Sequence, residues 1–187
     1  IEDVKAAAEL VHANKGLLVV AADPVALGVI EAPGILGADI VVGEGQPMGV
    51  AMSYGGPYVG FMATNANYLR KMPGRIVGRT EDRAGNPGYV LTLQTREQHI
   101  KRAKATSNIC SNQALMALAN VVYLSLAGEA GFTDVAKQCW HKSHYLNSRL
   151  LEIDGVTDVF DSPFCREFVV NLPVSALKAV AAMEKKG

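Results

Sequence analysis

Apolar residues recur at helical spacing over Val4–Ala13 and then run unbroken from Leu17 to Ala22. The pattern predicts a short amphipathic helix ending near Asn14–Gly16, then a strand buried on both faces. Asp23 and Pro24 supply an N-cap and a first-turn proline, so a helix is expected from Pro24 to about Ala32, where Pro33 and Gly34 stop it. Ala38–Val42 forms a second apolar strand, and residues 17–42 thereby make a parallel βαβ-like unit. From Gly43 to Gly60 six glycines and two prolines exclude regular helix and favour an ordered loop or a covered surface. Val59–Ala63 resumes as a strand, and Thr64 or Asn65 caps a short helix ended by Pro73 and Gly74.

Arg75–Thr80 and Tyr89–Thr95 alternate around the turn-forming stretch Arg83-Ala-Gly-Asn-Pro-Gly88, which predicts an exposed, polar hairpin. A helical pattern runs from Ser107 or Asn108 to Ala127, breaks at Gly128 and Gly131, and resumes from about Thr133 to Ile153. Val156–Phe160 and Glu167–Leu172 read as strands, and Val174–Lys186 as a final helix. The chain therefore divides near residue 107 into a parallel α/β piece with a glycine-rich, basic end and a second α/β piece opening on a long helix. It starts without methionine and ends on a helix with nothing after it to pack against, so both ends are expected to continue into a longer protein.

Lys plus Arg and Asp plus Glu number 18 each, so net charge selects no partner class. Cys110, Cys139 and Cys165 lack any C-x-x-C spacing and, being odd in number, read as free thiols of a reducing compartment. The longest apolar stretch, Ala114–Ala127, is too short for a bilayer and contains Asn120 and Ser125. A cytoplasmic protein, or one of the mitochondrial matrix if eukaryotic, is expected.

Charge becomes informative locally. Residues 70–104 hold nine of the basic residues against Glu81, Asp82 and Glu97, and nine less three leaves +6. Such a cluster suits a phosphate, a carboxylate or an acidic protein face, or is simply a solvated surface. Nucleic acid is disfavoured because few aromatics interleave with the cations. Thr106, Ser107 and Asn108 crowd a helix N-terminus, which favours an anion or serves as an ordinary N-cap. Gly43-Glu-Gly-Gln-Pro-Met-Gly49 matches neither G-x-G-x-x-G nor a P-loop. Cys139, His141 and His144 fall near one another on a helix, but Trp140 and Tyr145 beside them suggest packing rather than metal. His99 is a candidate proton carrier, or structural. No Gly-x-Ser-x-Gly elbow and no zinc spacing occurs.

Ala38-Asp-Ile-Val-Val-Gly-Glu-Gly-Gln-Pro-Met-Gly49, Ser53-Tyr-Gly-Gly-Pro-Tyr-Val-Gly-Phe61, Met72-Pro-Gly-Arg-Ile-Val-Gly78, Leu91-Thr-Leu-Gln-Thr-Arg-Glu-Gln-His-Ile100 and Lys104-Ala-Thr-Ser-Asn-Ile-Cys-Ser-Asn-Gln-Ala114 stand in one order. Together they resemble the glycine decarboxylase P-protein family, in its N-terminal half, a separate subunit 1 in many bacteria and archaea. The resemblance implies an α/β fold of the aspartate-aminotransferase-like, pyridoxal-phosphate fold type I. Residues 1–107 would be the C-terminal part of the large domain, and 108–187 the start of the small one. It also implies decarboxylation of glycine and transfer of the aminomethyl group to the lipoyl arm of H-protein.

That chemistry needs a lysine imine with pyridoxal phosphate, and in the cofactor-bearing half of the family the lysine follows the strand equivalent to Ala38–Val42. Here no lysine stands between Lys15 and Lys71. The resemblance thus implies a chain that supports a lysine-bearing subunit 2 in a heterotetramer, is inactive alone, and leaves the cofactor to its partner. The residues favoured as reaching that partner's site are Arg96, Lys104, Thr106, Ser107 and Asn108, with Arg75, Ser53, Gly55 and Gly56 behind them. The alternatives are a self-sufficient pyridoxal-phosphate enzyme such as an aminotransferase, and a basic module binding nucleic acid.

Overall fold

A computed structural model describes residues 1–105 and 113–187. Helix α1, Val4–Ala13, begins where the Asp3 carboxylate accepts the Ala6 N–H, and carries a single buried residue, Ala8. Strands β1 (Val19–Ala21), β2 (Ile40–Glu44) and β3 (Gly60–Thr64) form one sheet in that order. β1 pairs parallel to β2, with Val20 opposite Val41, and β2 pairs antiparallel to β3, with Val42 opposite Met62.

Two expectations are corrected here. The connection between β1 and β2 is no α-helix: only a 3₁₀ turn forms, over Ala26–Gly28, and the Asp23 carboxylate accepts the Val25 N–H just before it without capping it. Gly28 explains part of the difference, since it brings the backbone against the helix described below so closely that a Cβ on it would lie 2.7 Å from Ala136 Cβ. Nor is β1 buried on both faces. Val19 is 54% exposed, and the buried apolar side chains among the described residues are all alanine or valine.

One polar node ties these elements together. The Asp39 carboxylate, at the start of β2, accepts from the Leu18 N–H at 2.9 Å and bonds His12 Nε2 of α1 at 2.8 Å, while Thr64 Oγ1 of β3 donates to the Asp39 carbonyl. Those bonds, led by His12, hold the Asp39 carboxyl below the usual aspartate range. A 3₁₀ turn over Ala66–Lys71, capped by Asn65, then leads to the hairpin of β4 (Ile76–Glu81) and β5 (Pro87–Thr92), paired from Ile76 opposite Thr92 to Glu81 opposite Pro87. Asp82 shapes its turn: its carboxylate accepts from the Asn86 side chain and from the backbone of Asn86 and Ala84, which lowers its pKa.

The short helix α2, Gln98–Lys101, precedes the long helix α3, Ala114–Leu151. α3 holds two helical stretches that meet at Gly128, whose φ of 61° and ψ of −176° are non-helical and suit glycine, so the helical pattern breaks there as the sequence predicts. Its first half lies on the Gly45–Met48 loop and its second half on the Ala26–Gly28 turn. Beyond it come the two-residue strands β6 (Thr157–Asp158) and β7 (Val170–Asn171), and helix α4, Ala176–Glu184. Arg166 clasps the Asp23 carboxylate through Nε and Nη2, joining this last segment to the β1–β2 connection. The His144 ring is stacked between Trp140 and Phe164, with centroids 4.5 and 4.0 Å away; Cys139, His141 and His144 belong to no cluster able to hold a metal among the described residues.

Candidate functional site

Two regions gather the residues singled out by sequence. The first is the turn after β2. The Glu44 Oε1 atom accepts from Gln46 N at 3.0 Å and Val59 N at 2.9 Å, closing the turn on itself. Buried Asn120 of α3 ties it to the helix: its Nδ2 donates to Gly45 O at 3.0 Å and Met48 O at 2.6 Å. Gln46 Nε2 adds a bond to Val50 O at 2.6 Å. Close packing fixes the glycines as well. A Cβ on Gly43 would run into the Phe61 ring and the Ala22 carbonyl, and one on Gly49, where φ is 90°, would lie 2.7 Å from Tyr123 Cβ.

Pyridoxal phosphate held as an imine would need an amine at this turn and room for a ring. The residues present do not fit it. The lysine is missing, Phe61 and Ala22 pack against Gly43, and the one charged side chain, Glu44, is spent on backbone N–H groups.

The loop beyond the turn is open. Ser53 is exposed, with its hydroxyl donating to Ala51 O at 3.2 Å, and Gly55 and Gly56 adopt φ of 112° and 138°, conformations that a side chain rarely takes. A Cβ on Gly55 would meet nothing. Close approach by another molecule is sterically free there.

The second region is the base of the hairpin. Arg96, in a 3₁₀ turn over Gln94–Arg96, is only 9% exposed, and its Nη2 donates to Gly74 O at 2.6 Å. Its Nε has no partner among the described residues. Arg96 thus braces the two flanks of the hairpin instead of standing at a surface. Arg75 is exposed and lines a cleft with Leu91, Thr92, Gln94, Glu97 and His99. Lys104 is exposed in a 3₁₀ turn, Arg102–Lys104. Thr106, Ser107 and Asn108, and Cys110 with them, lie outside the described residues. The structure therefore brings Arg75 and Arg96 together, while Ser53, Gly55 and Gly56 form a separate loop. Glu44 and Asn120 escaped the reading of the sequence: an acid inside a glycine run and an asparagine inside an apolar helix carry no motif, and only the polar residue within Ala114–Ala127 hinted at a buried partner.

Known proteins match the whole of this arrangement. The family described as Glycine cleavage system P-protein matches residues 1–186. A probable glycine dehydrogenase (decarboxylating) subunit 1 of Prosthecochloris aestuarii is 55% identical over 187 residues, covering 100% of this chain and 42% of that protein. A protein of the same description from Desulforamulus reducens is 59% identical over 170 residues, covering 91% of this chain and 38% of its own length. The chain therefore spans about two fifths of these relatives. A crystal structure of glycine decarboxylase (P-protein) of the glycine cleavage system, in inhibitor-bound form, superposes with a TM-score of 0.91 at 43% identity, covering 100% of this chain and 43% of that one. The fold is accordingly the α/β architecture of pyridoxal-phosphate fold type I. By the extent of these matches, the chain belongs to the glycine cleavage system P-protein family.

Proposed function

We propose that this chain is part of the subunit of a glycine decarboxylase that carries no cofactor, and that it supports decarboxylation of glycine and transfer of the aminomethyl group to lipoylated H-protein by a lysine-bearing subunit 2. The carrying observation is the turn after β2, packed shut by Phe61, Glu44 and Asn120 and without a lysine. When bound to a partner, pyridoxal phosphate supplies the electron sink that the reaction requires. This chain's residues do the rest of the work assigned to it. The open Ser53–Gly56 loop admits the partner's backbone, Arg96 fixes the hairpin base, and Arg75 and Lys104, with Thr106, Ser107 and Asn108, present donors to anions in the shared site. The setting is a heterotetramer in the cytoplasm.

Co-purification of the full-length protein with its lysine-bearing partner tests this reading. A stable complex exchanging labelled carbon dioxide into glycine, with no borohydride-fixed cofactor on this chain, is the expected result. Failure to form a complex, or a covalent cofactor adduct on this chain, refutes it.

A further inference from the structure

The second half of α3 presents one stripe to the rest of the chain. Ala136, Cys139 and Ser143 follow one another at intervals of three and four residues, which places their side chains on one face of the helix. Both ends of the stripe are held. Ala136 is buried against the Ala26–Gly28 turn, where a Cβ on Gly28 would meet its own Cβ at 2.7 Å. Ser143 Oγ donates to Cys165 O at 2.9 Å, and the adjacent His144 and Phe164 rings stack with centroids 4.0 Å apart. Cys139 is the stripe residue between that turn and Cys165.

The residue after Cys165 closes the path. Arg166 clasps Asp23, at the start of the connection that carries Gly28, with Nη2 donating to Oδ1 at 2.9 Å. Contacts thus run from Gly28 to Ala136, along α3 past Cys139 to Ser143, across to Cys165, and through Arg166 back to Asp23. Both cysteines are members of that closed path. Their charges are felt across it: burial pushes the Cys165 thiol up, Asp23 and then Cys139 add to the rise, and Cys139 also acts on Arg166. Cys139 and Cys165 are half-buried free thiols, and Cys165 lines a cavity of about 520 Å³ with Val20, Ala26, Ile30 and Arg166, wide enough to admit a small oxidant.

We infer that Cys139 and Cys165 are a redox pair, which a peroxide joins as a disulfide that ties α3 to the segment carrying Arg166. Peroxide oxidises one thiol to a sulfenic acid and one water leaves; the second thiol attacks that sulfur, and the S–S bond forms as another water departs. Two electrons and two protons pass from the pair to one peroxide. The bond closes a loop over residues 139–165 and restrains the unfolded chain there, which raises the stability of the joint.

Treatment of the full-length chain with hydrogen peroxide, alkylation of the remaining thiols and peptide mass analysis test the pair. The expected product is a peptide linked through Cys139 and Cys165, lost on reduction with dithiothreitol and absent from Cys139→Ser and Cys165→Ser. The oxidised wild type should melt about 5 °C or more above the reduced chain, and neither variant should show that rise. Alkylation or overoxidation of both cysteines without a linked peptide, a link from either of them to Cys110 or to a second copy of the chain, or a melting temperature not raised by the link overturns the inference. The wild-type chain alone gives the deciding result, so a variant that fails to fold leaves the test intact. No partner subunit takes part, and failure of the chain to complex with one would sink the proposed function and leave this result standing.

Discussion

Asn120 is the α3 side chain that hydrogen-bonds the turn after β2, and Asn120→Asp isolates its effect. The substitution keeps shape and volume but replaces the Nδ2 donor with an oxygen. Two carbonyls, Gly45 O and Met48 O, lose bonds of 3.0 and 2.6 Å and face an acceptor in their place. Asn120 itself is buried, so water cannot readily substitute. Each lost bond is worth about 1 kcal/mol net, and an unsatisfied buried carbonyl adds to that, which gives about 2–4 kcal/mol of local destabilisation. The assay is amide hydrogen exchange of the full-length chain, followed at Met48 and Val50, whose N–H groups bond Gly45 O and Gln46 O within the turn. Exchange there should accelerate about 30- to 1,000-fold, while the β4–β5 amides remain unchanged. If Met48 and Val50 exchange within about threefold of wild type, the clamp does not hold the turn and the energy assigned to it is wrong.

Two further outcomes follow from the same packing. Gly49→Ala forces a side chain into φ 90° and against Tyr123 Cβ at 2.7 Å, so it should cost about 2 kcal/mol or more and lower the melting temperature of the full-length chain; an unchanged melt would refute the close approach of loop and helix. The Asp39 carboxyl has a folded-state pKa below its unfolded value, so its contribution is present at neutral pH, above the unfolded pKa, and is lost as pH falls through the lowered folded pKa. Exchange at Leu18 N, bonded to that carboxylate, should therefore rise on acidification beyond the intrinsic pH effect, and Asp39→Asn should abolish that excess.

Much of the fold was legible in residue pattern. Apolar runs marked β1, β2 and β3, the helical spacing of Val4–Ala13 marked α1, Asn65 marked a helix start, and the Gly-Asn-Pro-Gly stretch marked the hairpin, because each is a local signal with a local cause. The failures share a different cause. Asp23-Pro24 signals a helix locally, but the segment forms one 3₁₀ turn because Gly28 is pressed against Ala136, more than a hundred residues later. Strand burial was overestimated because an apolar run records what the strand is built to meet, and the three-stranded sheet of these residues leaves Val19 uncovered. At the candidate site, the absence of a lysine could be read directly. The bracing role of Arg96 could not, because a cation in a basic segment looks the same whether it faces solvent or a backbone carbonyl 22 residues away.

The missing lysine and the packed turn are best understood as one fact. A turn that holds a cofactor must keep a cavity beside the strand end and a flexible amine within it. Here the Phe61 ring and the Ala22 carbonyl pack against Gly43, the Glu44 carboxylate accepts from Gln46 N and Val59 N, and buried Asn120 bonds Gly45 O and Met48 O. No single substitution reverses this. A lysine at Gly43 has no room, and one at Glu44 removes the acceptor that shapes the turn. The packed turn thereby joins the sheet to α3, and the exposed Ser53–Gly56 loop extends beyond that joint.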